Sequence, residues 1–307
     1  MKRIIFILSI LFSVSVFAQQ EPLFTQYYVN DMAINPAISG SKTYNPFTIQ
    51  TRQQWLGFEG APFSTNISYH GALNDRSAMG GYLMFDQTYA SLQANLHLNY
   101  AYHVPLNYDK VNLSFGLGAK LMHYNLNFNI GDLPPGEDGA FSASAYDKTL
   151  ADASSGVYLY GHNFYAGFSV SNMFQSSFNT PVKGSPYSNA EYRNYYGMGA
   201  YRYNIMNNDW QFEPSFLIRK VQFQSSMTDL TTRVIYLENN WAGLTYRTNE
   251  TFVFSFGFAK NNMHFSYSYD HTFDGEIMEH TYGTHELGIT IKIQTLATQR
   301  HIGFWAY

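Results

Sequence analysis

The chain has 307 residues, 18 basic against 22 acidic, no cysteine, and 18% aromatic but only 13% charged residues. A soluble domain averages about 25% charged residues, so a chain this aromatic and this poor in charge is not solvated on every face. The lack of cysteine excludes a disulfide framework, and the formal net charge of −4 gives no basic patch for nucleic acid.

The first residues read as a secretory signal peptide over 1–18. Lys2 and Arg3 form a positive start, Ile4 to Phe17 is apolar apart from Ser9, Ser13 and Ser15, and Val16-Phe17-Ala18 places small residues for cleavage after Ala18. The apolar run is shorter than the roughly 20 residues of a membrane helix, and no later stretch reaches even that length. Cleavage removes two basic residues and takes the net charge from −4 to about −6. A mean hydropathy of −0.25 fits a β-barrel, in which one residue in two faces lipid.

Residues 19–46 are expected as a periplasmic N-terminal segment. Within it Pro36 biases Asn35 to an extended or turn conformation, and the segment is expected to fold against or into a barrel over 47–294. Strands are predicted at 47–56, 64–73, 77–89, 92–106, 110–126, 151–161 and 163–174, then at 192–205, 210–223, 227–238, 241–248, 251–260, 263–273 and 284–294. In 92–104, Leu92, Ala94, Leu96, Leu98, Tyr100, Tyr102 and Val104 alternate with Gln93, Asn95, His97, Asn99, Ala101 and His103. In 251–260, Phe252, Phe254, Phe256 and Phe258 share one face; Met263, Phe265, Tyr267 and Tyr269 repeat the pattern, as do Leu287, Ile289, Ile291 and Ile293. Residues two apart lie on nearly opposite sides of a helix, so this period has no helical reading. Soluble strands run about 5–6 residues, whereas a tilted membrane strand needs about 9–11. The fold class is therefore all-β: a transmembrane antiparallel up-and-down barrel of about 14 strands, an even number. The range is 12–16, because the 110–126 run and the tail 295–307 could alter the count. That tail ends in Ile302, Phe304, Trp305 and Tyr307 and could pack on the barrel rim or on a partner.

Links after even-numbered strands are short and rich in Asn and Asp, such as Asn74-Asp75-Arg76 and Asn261-Asn262, as tight hairpins require. Links after odd-numbered strands are more often long: 57–63, 127–150, 175–191 and 274–283. Short turns of outer-membrane barrels face the periplasm. The expected location is thus the outer membrane with both termini periplasmic. The long loops read either as a solvated cap or as a partner-binding surface.

Catalytic and metal chemistry finds little support. His280 and His285 lack a third ligand at a recognised spacing. His264, Ser266, Asp270 and His271 lie close in sequence, but Ser266 and Asp270 are expected to point into the lumen, away from a lipid substrate. No nucleophile elbow, Walker loop or dinucleotide fingerprint is present. The expectation is no enzyme activity, no cofactor and no metal. Inward Gln93, Asn95, His97 and Asn99 make either a hydrogen-bonded filling or a substrate channel. Arg52 beside Trp55 reads as a satisfied structural contact.

Several segments together resemble a known family. Glu21-Pro22-Leu23-Phe24-Thr25-Gln26-Tyr27 leads to Ile34-Asn35-Pro36-Ala37, then Arg52-Gln53-Gln54-Trp55-Leu56-Gly57, Gly60-Ala61-Pro62 and Asn66-Ile67-Ser68-Tyr69-His70. Gly283-Thr284-His285-Glu286-Leu287 follows near the end. This order is similar to the PorP/SprF family of the type IX secretion and gliding machinery of Bacteroidetes. The resemblance runs from about residue 19 to about 294, while 127–190 carries no matching motif. It implies a non-enzymatic outer-membrane barrel that binds ring or lipoprotein subunits of the secretion machine. The alternative branch of the family holds the C-terminal signal domain of a secreted adhesin at the surface. The family-pattern positions, candidates for partner binding, are Asn35, Pro36, Arg52, Gln54, Trp55, Gly57, Pro62, His285 and Glu286. A channel for small solutes or apolar ligands is the alternative function, and a lipid hydrolase a third.

Overall fold

The computed structural model describes residues 24–89, 91–106, 110–126, 146–178, 189–205, 209–273 and 280–294. Its strands are β1 (Asn45–Gln53), β2 (Phe63–Ala72), β3 (Ser77–Thr88), β4 (Ser91–Leu106), β5 (Val111–Leu126), β6 (Tyr146–Gly161) and β7 (Phe164–Ser171). Then come β8 (Ser177–Phe178), β9 (Asn189–Ala190), β10 (Asn194–Tyr201), β11 (Tyr203–Ile205), β12 (Trp210–Val221) and β13 (Ser226–Tyr236). The last four are β14 (Asn240–Arg247), β15 (Thr251–Lys260), β16 (Met263–Thr272) and β17 (Thr284–Ile293).

Each strand of the wall pairs antiparallel with its chain neighbours, and β1 closes on β17, with Asn45 opposite Ile293 and Gln53 opposite His285. β8 and β9 form a separate small hairpin. β10 and β11 run along β12 in one register, Ala200 opposite Ser215 and Tyr203 opposite Phe212. Pro214 lies in the break between those paired stretches, and a proline has no N–H to give the ladder. Counting β10 and β11 as one stave, the barrel has fourteen strands and no free edge, which removes the exposed row of backbone groups that invites aggregation.

All fourteen predicted strands are present. The largest boundary difference is at β6, which starts at Tyr146 rather than 151. There Leu126 pairs with Tyr146 and Asn125 with Asp147, but the outward side chains Asp147 and Thr149 are polar and exposed. The ladder continues past the apolar belt, where alternation of hydropathy no longer marks it. Of the long links, 127–145, 179–188 and 274–279 lie outside the described residues, as do the signal peptide and the 295–307 tail.

The wall is inside-out relative to a soluble protein. In β15, Thr251, Val253 and Ser255 are buried, while Phe252, Phe254, Phe256 and Phe258 are 43–57% exposed. The same polarity runs around the barrel, with Leu98, Leu117, Phe168, Leu230, Leu244 and Leu287 facing out. Aromatic residues collect toward the edges of this belt. Tyr69, Tyr100, Tyr102, Tyr203, Trp210 and Tyr236 lie toward the short-turn end, and Tyr246, Phe252 and Phe273 toward the loop end. This is the girdle that amphipathic rings form at the two membrane interfaces. Among the described residues no helix is long and apolar enough to cross a membrane, so crossing falls to the strands.

Candidate functional site

The lumen is occupied by the chain's own N-terminal segment. Residues 24–44 run inside the barrel and carry two short 3₁₀ turns, Asp31–Ala33 and Pro36–Ile38. Thr25, Gln26, Tyr27, Met32, Asn35, Ala37, Ile38 and Ser39 are each at most 1% exposed. Over its described part, the N-terminal segment is therefore a plug folded into the barrel. Its start is level with the loop end of the wall, where Thr25 meets Arg52, Asp270 and Glu286. Its far end reaches the turn end, where Gly40 meets His70 and Ala78. The last strand also leaves at the turn end, opposite Asn45. Residues 24–26 and the end of β17 thus lie at opposite ends of the lumen.

Polar groups taken from water must be paired, and charges most of all. At the loop end, Glu286 accepts the backbone N–H groups of Thr25 at 2.8 Å and Gln26 at 3.0 Å, and Nε2 of Gln50 at 2.6 Å. Arg52 reaches Asp270 at 2.9 Å, Glu286 at 3.2 Å and the Thr25 hydroxyl at 2.6 Å. Thr25 in turn donates to Asp270 at 2.6 Å. Arg247 adds Asp229 at 2.8 Å and Thr25 at 3.1 Å, and Arg219 pairs with Asp229. Three guanidinium groups thus face three carboxylates, all with side chains at most 8% exposed. A second group places Glu213 between Arg202 at 3.2 Å and Arg233 at 2.5 Å. Arg233 also lies 4.0 Å over the ring of Tyr28 in the plug, a cation–π contact that desolvation strengthens. Within the plug, Lys42 pairs with Asp31 at 2.5 Å.

The rest of the plug is fitted by shape. Tyr27 is packed in an apolar cluster with Ile38, Tyr158, Tyr165, Met198, Leu217 and Ile235, and its hydroxyl meets Ser215 at 2.8 Å. Asn35 caps the second 3₁₀ turn by accepting Ala37 N–H at 3.0 Å, and donates to the carbonyls of Val157 at 3.0 Å and Phe168 at 3.4 Å. Pro36 occupies the first position of that turn, where its missing N–H costs nothing. The wall opposite offers Gly116 and Gly156. A Cβ on Gly116 would collide with the Ala37 backbone, and one on Gly156 with the Asn35 amide. These two glycines let the plug lie directly on the wall's backbone.

The family-pattern residues separate into three places. Arg52 and Glu286 come together in the lumen, directly paired across β1 and β17. Asn35 and Pro36 sit on the opposite wall. Gln54, Trp55, Gly57 and Pro62 build the loop-side corner between β1 and β2. There Gln54 N–H donates to the Pro62 carbonyl at 3.0 Å, and Leu56 N–H to Gly283 at 2.8 Å. Trp55 and Gly57 hold φ of 48° and 94°, and a Cβ on Gly57 would meet the Tyr282 ring at 2.9 Å. His285 faces outward, with its ring against the Tyr267 hydroxyl at 2.7 Å.

The pairs weighed for chemistry do not assemble. Asp270 is committed to Arg52 and Thr25, Ser266 Oγ donates weakly to the Gly288 carbonyl at 3.5 Å, and His271 is turned outward against Phe273. Among the described residues no group of three His, Cys, Asp or Glu is placed to hold a metal. Sequence reading missed Arg202, Glu213, Arg219, Asp229, Arg233 and Arg247. Their signal was available: each sits at an inward position beside outward neighbours that are mostly apolar, such as Tyr201 and Tyr203 beside Arg202 and Ile218 beside Arg219.

The profile of the family described as "Type IX secretion system membrane protein PorP/SprF" matches residues 16–291. No curated protein matches. Among solved structures, the monoaromatic hydrocarbon channel CymD is similar at TM-score 0.52 and 11% identity, covering 87% of this chain and 93% of that one. The P. putida toluene transporter TodX is similar at TM-score 0.50 and 10% identity, covering 85% and 92%. At these identities the likeness carries the fold alone.

Proposed function

From the premise that the chain belongs to the PorP/SprF family of type IX secretion membrane proteins, and is an outer-membrane barrel, we propose that it acts as a non-enzymatic holding component. On this reading it binds subunits of the secretion machine, or the C-terminal signal domain of a secreted surface protein, and retains that partner at the membrane. The observation that carries the reading is the plug: residues 24–44 fill the lumen with buried, hydrogen-bonded and ion-paired contacts. A barrel closed from within by its own chain is suited to presenting its rims rather than to passing solutes. On this reading the short turns lie in the periplasm, as in other outer-membrane barrels. The rigid corner of Gln54, Trp55, Gly57 and Pro62 then faces outward and is the first candidate for partner contact.

The test is affinity capture of the tagged protein from detergent-solubilised outer membranes, with captured proteins identified by mass spectrometry. Recovery of a type IX subunit or of a protein ending in a type IX signal domain supports the reading. Capture of neither, from membranes in which the secretion machine is present, removes it.

A further inference from the structure

The outer wall carries a groove that the holding role does not use. It is formed on β4 to β7 by outward Tyr100, Tyr102, Phe115, Leu117, Val157 and Phe168, and its volume is about 510 Å³. That size lies within the roughly 300–1,000 Å³ of small-ligand sites. No charged side chain lines it. The furrow runs over the small Ser155 of β6, which lies between Leu117 of β5 and Val170 of β7.

Its floor is unusually well backed. Gly116 and Gly156 are part of the lining, and their inner faces are the ones that touch Ala37 and Asn35 of the plug. At this point the barrel is one backbone thick, with the plug behind and the groove in front. A furrow supported in this way is preformed, so a ligand entering it does not have to reorganise the wall.

We propose that this groove is a binding site for one acyl chain of a membrane phospholipid. The face is continuous with the lipid-facing belt, which outward Leu98 and Leu121 carry on from the groove toward the loop end. An apolar chain is the complement of its uncharged lining, and each buried CH₂ contributes about 0.8 kcal/mol. The groove lies in the half of the wall nearer the short turns, with Phe115 opposite Tyr102 and Val157 on the paired strands. That half faces the phospholipid leaflet when the short turns are periplasmic. Tyr100, whose hydroxyl meets Ser77 at 3.0 Å toward the turn end, marks the headgroup side. The site depends on the barrel's place in the membrane and not on the type IX partner.

The experiment is photolabelling of the full protein in phospholipid vesicles that contain a trace of phosphatidylcholine with a diazirine on one acyl chain. Label should concentrate several-fold on peptides spanning 100–117 and 155–170 relative to the opposite wall, β13 to β15. Ser155→Phe fills the furrow and should reduce that label to the level of the opposite wall while the barrel keeps its unheated gel mobility. Val157→Trp serves the same purpose if the first variant does not fold. Uniform labelling around the wall, or labelling unchanged in the filled variants, overturns the proposal. So does equal marking of the groove by lipid A carrying the same photoreactive chain, or a cross-link there to another protein in place of lipid.

Discussion

Glu286→Gln should loosen the start of the plug while leaving the barrel closed. The carboxylate receives Thr25 N–H at 2.8 Å and Gln26 N–H at 3.0 Å on its two oxygens. An amide of the same shape has one acceptor oxygen, so one plug N–H is left without a partner. A hydrogen bond to a charged group contributes about 1.5–3 kcal/mol, and the surviving bond falls to about half its strength when the acceptor is neutral. The combined loss is about 3 kcal/mol, which corresponds to roughly a hundredfold rise in the open fraction of the segment. Arg52 keeps Asp270 at 2.9 Å, so the wall retains its principal ion pair. Amide hydrogen exchange measured by mass spectrometry in detergent reads the opening directly, because local opening sets the exchange rate. Peptides covering 25–38 should exchange about two orders of magnitude faster, and peptides of β1 and β16 at the unmodified rate. Unchanged exchange in 25–38 would show that Glu286 does not hold the plug. A parallel rise in plug and strands would show that its role is in the wall instead.

Glu213→Gln leaves Arg202 and Arg233 buried without their shared carboxylate; a broken buried pair costs about 3–5 kcal/mol, and the urea midpoint for barrel unfolding in micelles should fall accordingly. Asn35→Ala removes the cap on Ala37 and both bonds to wall carbonyls. A loss of about 1–3 kcal/mol is expected, seen as faster proteolysis within 24–44 with β5 to β7 still protected. Gly156→Val places side chain where the Asn35 amide lies, so the plug should be expelled, giving conductance steps in planar bilayers that Gly197→Val, in open space on the wall, does not give. Phe254→Arg, 57% exposed near the middle of the lipid face, should destabilise folding into vesicles by about 2–4 kcal/mol, whereas Thr149→Arg above the belt should be near neutral.

The wall was legible in the sequence because a half-lipid, half-lumen strand writes its own period. Phe252 to Phe258 and Leu92 to Tyr102 face lipid in the structure as their alternation required. Even the stave interrupted at Arg202 was recoverable, since outward Tyr201 and Tyr203 on either side stay apolar. The plug was harder to read. Residues 24–44 have no period, because an irregular segment is held by tertiary contacts. Two of its partners, Glu286 and Asp270, lie more than 200 residues from Thr25 in sequence. Arg52 is a paired structural contact whose partners, Asp270, Glu286 and Thr25, are all remote in sequence, while Trp55 belongs to the loop-side corner. The metal and hydrolase candidates were neighbours in sequence, and alternation turned His271 and Asp270 to opposite faces of the wall. The lumen charges could have been found by asking what inward Arg219, Asp229, Arg233 and Arg247 pair with behind a lipid-facing surface that is largely apolar.

The account rests on a barrel closed by its own N-terminal segment. Single-channel recording of the unmodified protein in planar bilayers tests that claim most directly. A barrel closed in this way gives a quiet trace at moderate voltage, with steady steps appearing only when the plug is weakened, as in Gly156→Val. Stable porin-sized steps from the unmodified protein would contradict it and return the chain to the class of open channels.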